Sequence, residues 1–369
     1  MKLLKYIAIC LSVVAFTGCS DWTDVEREVY ANQEGLEKYI ELIDAQSEAD
    51  LTPTMREYYR KIREYRNTPH VKGFGWFGNW TGRGSNAQNY LKMLPDSVDL
   101  VSLWGCRGNL SEHQKADLKF FQEVKGGKAM LCWIVQDLGD QMTPPGKDAY
   151  EYWVTEKGGG SFEEGVKAYA NAICDTIEKY NLDGFDIDYE PNYQGRWGSL
   201  ANYPKRMSIF IDELSKYLGP KSGSEKLLVI DGEPQSMPAE RGECMNYFIV
   251  QAYTTSKYNS DSNLDSRLKS TIDNFTGKID PKEVAKKYVV TENFEDWALK
   301  GGGAYLDRYG NEMRALEGMA RWTPIIDGQI CEKGGVGTYH MEYEFVVSGY
   351  DGTYPFLRNA TRIMNPPMK

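Results

Sequence analysis

The sequence predicts an α/β fold, a (β/α)8 TIM barrel carrying an N-terminal helical extension. Three observations carry that expectation. From Val71 onward short apolar runs alternate with amphipathic segments, as repeated βα units require. Eight such runs are present, at residues 71–77, 99–104, 129–135, 184–189, 227–231, 248–253, 288–291 and 335–339. The chain has 369 residues, enough for one barrel of about 250 to 300 residues and an extra segment.

The first 18 residues read as a signal peptide. Lys2 and Lys5 supply a positive start, residues 6–16 a short apolar stretch, and Thr17-Gly18-Cys19 its end; the stretch is too short to span a membrane. It resembles a bacterial lipoprotein signal cut before Cys19, which would then carry the lipid. The acidic residues that follow, Asp21, Asp24 and Glu26, resemble the export tags of Bacteroidetes surface lipoproteins. The expected location is therefore the outer face of the outer membrane. Residues 19–70 are polar and rich in charge, as in Arg56-Glu57-Tyr58-Tyr59-Arg60-Lys61, and are expected to form the lipid anchor and a helical spacer. Residues 71–369 are expected to form the barrel.

Within the barrel, Phe162, Val166, Tyr169, Ile173 and Ile177 recur at helical spacing up to Tyr180. A second helix is expected over 200–218, where Met207, Phe210, Ile211 and Leu214 form a stripe before Gly219-Pro220. Between them lies Leu182-Asp183-Gly184-Phe185-Asp186-Ile187-Asp188-Tyr189-Glu190-Pro191. On a strand, Asp186, Asp188 and Glu190 share one face. Like charges packed so closely raise one another's pKa, a costly arrangement more often catalytic than structural. A calcium loop of the EF-hand type would need Gly at its sixth and Glu at its twelfth position, and neither spacing is met.

This stretch resembles the signature of glycoside hydrolase family 18, Asp-Gly-x-Asp-x-Asp-x-Glu, with Asp183, Gly184, Asp186, Asp188 and Glu190 all in place. The resemblance implies a TIM barrel with the motif on its fourth strand and substrate-assisted, retaining hydrolysis beside an N-acetylglucosamine (GlcNAc). Glu190 would be the general acid. Asp188 would hold the acetamido N–H of the substrate, and Asp186 would share a proton or hydrogen bond with Asp188. Asp183 would support the start of the strand. On the sixth strand, Gln251-Ala252-Tyr253 is the second match: Tyr253 would donate to the acetamido oxygen and Gln251 would face the same pocket. Chitinases of the family usually have Met-x-Tyr-Asp there; Gln251-x-Tyr253 resembles the endo-β-N-acetylglucosaminidases that cut N-glycans.

Other departures agree. The chitinase Ser-x-Gly-Gly of the third strand is missing, and the eighth strand ends Thr338-Tyr339-His340-Met341-Glu342-Tyr343 without the usual Trp. Only about 44 residues separate Thr291 from Gly335, about one helix and its loops, so the site is expected to be shallow. Candidate substrate-binding residues at the strand ends are Gln251, Trp76, Asn79, Trp104, Glu292, Asn293, Trp297 and Tyr339, with Tyr339 or Trp297 as the floor of the sugar pocket. Trp80, Gln136 and Asp137 also stand at strand ends. Asp231 and Glu233 fit a pocket wall or a solvated loop equally well. His340 fits a structural hydrogen bond and a ligand contact equally well.

Composition agrees with a carbohydrate substrate. Aromatic residues make up 13%, with 9 Trp and 25 Tyr, and flat rings suit the C–H faces of sugars. A net charge of -10 without a basic run disfavours nucleic acid. Beyond Cys10 and Cys19, the five cysteines Cys106, Cys132, Cys174, Cys244 and Cys331 are odd in number and contain no CxxC pair, so they are expected to be small buried hydrophobes.

The function expected is an endo-β-N-acetylglucosaminidase hydrolysing the GlcNAc-β1,4-GlcNAc bond of the N-glycan core through an oxazolinium intermediate. No metal or organic cofactor is implied, because acid and nucleophile are both supplied. N-glycans or glycoproteins would be the partners, with the membrane bound through the lipid and a glycan importer as a neighbour. Alternatives are a chitinase of the same family and a non-catalytic surface glycan-binding protein. Glycan preference would be set by loops at 81–89, 141–160, 193–197 and 256–265.

Overall fold

The computed structural model describes residues 42–255 and 258–366. The signal segment, Cys19 and the acidic residues after it lie outside the described residues. Eight parallel strands close into a barrel: β1 (Lys72–Phe77), β2 (Leu100–Leu103), β3 (Lys128–Ile134), β4 (Gly184–Tyr189), β5 (Leu227–Gly232), β6 (Tyr247–Gln251), β7 (Tyr288–Asn293) and β8 (Gly335–Tyr339). Each pairs with its neighbours in sequence, and β1 closes on β8. All eight expected runs become strands, with ends shifted by two residues at most.

Alternation of side chains sorts each strand into two cores. Phe74, Trp76, Leu100, Met130, Cys132, Val229, Ile249 and Val289 meet inside the barrel. Phe77, Leu103, Phe185, Ile187, Ile230 and Val250 face outward, into the layer formed with the helices. That layer is built from α2 (Glu112–Glu123), α3 (Phe162–Lys179), α4 (Pro204–Leu214), α5 (Asp261–Asn274), α6 (Pro281–Lys287), α7 (Ala315–Arg321) and α8 (Pro355–Met364), preceded in the chain by α1 (Pro53–Arg66). Starts are well marked: Ser111, Ser161 and Ser260 each accept a backbone N–H as caps of α2, α3 and α5.

Regularity fails in four places. Short 3-10 turns, at Ala87–Asn89 and Leu91–Met93, stand where a helix would follow β1, and Pro234–Ser236 and Ala239–Cys244 replace the helix after β5. α4 is shorter at both ends than the expected range of 200–218. The amides of Leu200 and Ala201 are drawn to the carbonyl of Gln136, and Pro204 fixes the helix start. β6 stops at Gln251, which leaves Tyr253 beyond the ladder. The segment expected as a loop over 256–265 becomes α5 from Asp261, and residues 256–257 lie outside the described residues.

The connection from β7 to β8 is also richer than one helix and its loops. It holds a one-turn helix at Phe294–Trp297, strands at Ala304–Leu306 and Glu312–Arg314, α7, and a hairpin of Ile325–Ile326 with Gln329–Ile330. The first two strands form a small sheet with Asn259–Ser260 from the loop after β6. The five cysteines from Cys106 onward are free thiols. No helix of the described residues is long and apolar enough to cross a membrane.

α1 lies across the end of the barrel where the strands begin. Arg63 donates to the carbonyl of Val124 at 2.7 Å, and Arg66 donates to the carbonyl of Asp96 at 2.9 Å and to Asp99 at 3.1 Å. Asp99 is 7% exposed, and it also meets His70 at 2.9 Å and accepts the amide of Gly73 at 2.9 Å. Burial works to raise its pKa, but His70, Arg66 and the Gly73 amide hold it below the usual carboxylate value. Asp99→Ala should cost about 3–5 kcal/mol by leaving Arg66 buried and unpaired, measurable by urea denaturation. The Asp99 contribution is present above the unfolded carboxylate pKa of about 3.9 and fades as pH falls through the folded value. The variant should lack that part of the acid limb.

Candidate active site

β4 is fixed before its carboxylates are reached. Asp183 accepts the amide of Ala129 at 2.8 Å and the Gln122 side chain at 2.7 Å, tying the strand start to β3 and α2. At Gly184 an added Cβ would sit 2.2 Å from the carbonyl oxygen of Leu227, so only glycine permits this approach of β4 to β5. The pleat then aims Asp186 and Asp188 into the barrel at 0% and 5% exposure. In register, Asp186 lies beside Cys132 of β3, and Asp188 beside Asp231 of β5.

Four carboxyl groups therefore share the upper barrel: Asp186, Asp188, Asp231 and, at its rim, the half-buried Glu190. Ser102 Oγ donates to Asp186 Oδ2 at 2.5 Å, while Asp186 Oδ1 meets no partner among the described residues. An oxygen of Asp186 and one of Asp231 lie within 4.8 Å of each other. Gln251 Nε2 donates to Asp231 Oδ1 at 3.1 Å and its amide also supports Glu190. Asp188 Oδ1 is buried and meets no partner among the described residues.

Electrostatics follow from this crowding. Burial raises the pKa of Asp188 well above the ordinary value, reinforced by Glu190 and Asp186. Asp231 is raised likewise by burial, then by Asp186 and Asp188. Asp186 is pushed up by burial and eased by the hydrogen bond from Ser102. Burial also raises Glu190, against the hydrogen bond from Gln251. At Gly232, with φ 87°, a Cβ would lie 2.8 Å from Cγ of Glu190, so glycine leaves the acid its space.

Cys132 Sγ and one oxygen each of Asp186 and Asp231 lie within 4.8 Å of one another, a spacing that a metal ion could use. The donor set does not favour one. Burial and the neighbouring aspartates push the thiol well up, while Ser102 and Gln251 already donate into the two carboxyls.

Aromatic rings line the pocket beside the carboxyls. Tyr253 stacks on Tyr339, with centroids 6.1 Å apart and planes at 27°. Tyr339 meets Trp104 at 5.5 Å and Trp76 at 6.3 Å, both edge-on. Burial first, then the charges of Asp231 and Asp188, hold the Tyr253 hydroxyl neutral by raising its pKa.

The expected residues thus separate. Asp186, Asp188, Glu190, Gln251, Tyr253, Trp104 and Tyr339 come together. Tyr339, rather than Trp297, stacks on Tyr253; the Trp297 ring has Lys300 above it at 5.7 Å. Trp76 is corrected from a substrate-binding surface to a buried support, since it is 2% exposed and packs in the inner barrel core edge-on to Phe74. Glu292 is corrected from a substrate contact to a loop anchor. It is 0% exposed, points out of the barrel, and accepts from the Thr254 amide and hydroxyl and the Asn293 amide. Asn293 is likewise spent locally, accepting from the Glu295 amide and donating to Asp296. Asn79 sits on the rim, donating to Glu342 at 3.3 Å. Trp80 donates to Asp117 at 2.8 Å, and Gln136 and Asp137 bond to the loop after β4.

Two members of the network were not singled out from sequence. Asp231 was left between two readings, although its period-two relation to the inward Val229 pointed inside. Ser102 gave no such signal. A groove of 980 Å³ lies along the small sheet, lined by Tyr258, Tyr305, Arg314 and Arg321. Another of 680 Å³, with Arg107, Gln141, Thr143 and Tyr150, borders the loops after β3 and β4.

The model for glycoside hydrolase family 18, BT1044-like, matches residues 40–363. The solved structure "BT1044SeMet E190Q" is 51% identical with a TM-score of 0.78, over 88% of this chain and 97% of that chain. Endo-beta-N-acetylglucosaminidase F2 of Elizabethkingia meningoseptica is 25% identical over 324 residues, covering 82% of this chain and 84% of its own length. The apo endo-beta-N-acetylglucosaminidase of Cordyceps militaris, 22% identical, shares the fold with a TM-score of 0.59 over 88% of this chain and 100% of that one.

A carboxyl whose folded pKa is raised favours the folded state less as pH climbs from the unfolded value to the folded one. Each unit of elevation is worth about 1.4 kcal/mol. Asp188→Asn removes that penalty without changing volume. Its melting temperature should exceed that of the parent by a margin larger at pH 8 than at pH 5, as thermal denaturation at the two pH values would show.

Proposed function

Because the chain belongs to glycoside hydrolase family 18, in its BT1044-like group, we propose that it is an endo-β-N-acetylglucosaminidase. Its reaction is hydrolysis of the GlcNAc-β1,4-GlcNAc bond in the N-glycan core, leaving one GlcNAc on the protein. One observation carries this reading: the buried, unpartnered Oδ1 of Asp188, set between an acid and a neutral tyrosine. A buried acceptor without a donor is expensive in an unoccupied protein. The N–H of a substrate acetamido group satisfies it.

The chemistry then follows from the residues. Glu190, whose hold on its proton burial strengthens by raising its pKa, gives that proton to the glycosidic oxygen. The acetamido oxygen attacks the anomeric carbon, and Asp188 stabilises the positive oxazolinium nitrogen through its N–H. The Tyr253 hydroxyl donates to the acetamido oxygen and fixes its line of approach. Asp231 and Asp186 hold the proton that decides when Asp188 is charged. Glu190, now a carboxylate, takes a proton from the water that opens the oxazolinium ion, and configuration is retained. Gln251, which lies where chitinases of the family usually have Met, steadies the acid and Asp231 together. The relative from Elizabethkingia meningoseptica, named as an endo-beta-N-acetylglucosaminidase, supports the same bond. Cys19 is proposed to bear a lipid that holds the enzyme at the cell surface beside a glycan importer; palmitate labelling lost in Cys19→Ser checks it.

Mass spectrometry of a high-mannose and a complex-type glycoprotein after incubation should reveal a single GlcNAc left on the asparagine. Glu190→Gln should lower the rate by about 10²–10⁴-fold while keeping glycan binding. Cleavage of chitin oligomers alone would replace this reading with a chitinase. Tyr253→Phe should lower kcat by about 10²-fold with little change in KM. Gln251→Leu removes a donor to the Glu190 carboxylate, so the pKa of the acid rises further. The alkaline limb of kcat/KM, where the acid loses its proton, should move to higher pH.

A further inference from the structure

The seam where β1 meets β8 carries a cluster that the chemistry above does not use. Asn79 and His340 both have left-handed backbones, with φ 55° and 52°, a conformation that residues other than glycine hold only when their surroundings impose it. Both side chains converge on Glu342, which is 0% exposed. Glu342 Oε1 lies 3.3 Å from Asn79 Nδ2 and 2.7 Å from His340 Nδ1, and Oε2 accepts the Gly78 amide at 2.9 Å. The Gln88 side chain donates to the carbonyl of Glu342 at 2.7 Å.

The imidazole is held by contacts with two rings. Tyr343 stacks on it at 4.6 Å and 14°, and Tyr339 meets it at 4.3 Å with planes tilted by 59°. Tyr339 is the same ring that stacks on Tyr253. With Glu342 as the partner of Nδ1, the tautomer this bond selects carries its hydrogen there and leaves Nε2 a lone pair. Nε2 meets no partner among the described residues and is not buried, while the side chain is 12% exposed. A histidine serving packing alone has little reason to be held in a strained backbone with one nitrogen left unpartnered and unburied.

We propose that His340 is a specificity-determining residue whose Nε2 accepts a hydroxyl of the GlcNAc resting on Tyr339, with Glu342 and Asn79 as the positioning residues that aim it. The proposal rests on the glycosidase reading and adds a contact at the barrel seam to those of β4 and β6.

The test uses the Glu190→Gln protein and calorimetric titration with a glycopeptide bearing the Man3GlcNAc2 core. Its analogues lack the 3- or the 6-hydroxyl of the mannose-linked GlcNAc. His340→Asn is the informative change, since Asn tolerates the left-handed backbone and keeps an amide near Glu342 but cannot reach the sugar. The expected result has three parts. Affinity for the full core falls roughly tenfold, the size of one lost hydrogen bond. The melting temperature is unchanged. One deoxy analogue that binds the parent about tenfold more weakly binds the His340→Asn variant no more weakly than the full core does. Unchanged affinity would overturn the proposal, as would a variant equally sensitive to both missing hydroxyls. If the Glu190→Gln protein binds no core glycopeptide at all, the glycosidase reading fails and the proposal falls with it. If it binds normally and His340→Asn changes nothing, only the proposal fails.

Discussion

Everything near the mouth of this barrel answers to one constraint: Asp186, Asp188, Asp231 and Glu190 share a small space that no lysine or arginine among the described residues enters by hydrogen bond or ion pair. Four charges cannot be held there together. The price in desolvation and repulsion is met by keeping protons on some of the carboxyls and by bringing neutral donors to the rest. Those donors come from two separate strands: Ser102 from β2 and Gln251 from β6. The barrel is the device that makes this possible, because a parallel closed sheet turns inward-facing residues from distant parts of the chain toward one axis.

The opposite end of the same barrel handles buried charge in the contrary way. There Asp99 is met by Arg66, His70 and a backbone amide, and its charge is favoured. The two ends divide the work of the fold. Compensated charge at the strand starts holds the structure together. Uncompensated carboxyls at the strand ends keep a proton available, and they weaken the fold that carries them.

Much of this was legible in the sequence because it repeats with a simple period. Short apolar runs alternating with amphipathic segments identified eight strands, and the period of two along a strand put Asp186, Asp188 and Glu190 on one face. What could not be read depended on where a side chain turns after the strand ends. Glu292 continues the outward face of β7 and is absorbed by Thr254, a residue 38 positions away in sequence. Asn293 looked like a pocket residue but caps a one-turn helix. Trp76 and Trp104 were indistinguishable as tryptophans at strand ends, yet one is sealed beneath Asp186 and the other reaches Tyr339. Asp231 was ambiguous because a single acid before Gly232 also describes a turn. The small sheet after β7 was missed since its strands are three residues long or less, too short to show a period.

The placement of α1 has a consequence for how load is carried. Glu48 pairs with Arg63, and Arg66 reaches Asp99, so the chain from Gln46 onward runs across the end of the barrel remote from the carboxyls. A force applied along it at Gln46 would reach these ion pairs first, and the four carboxyls at the opposite end would be spared the distortion.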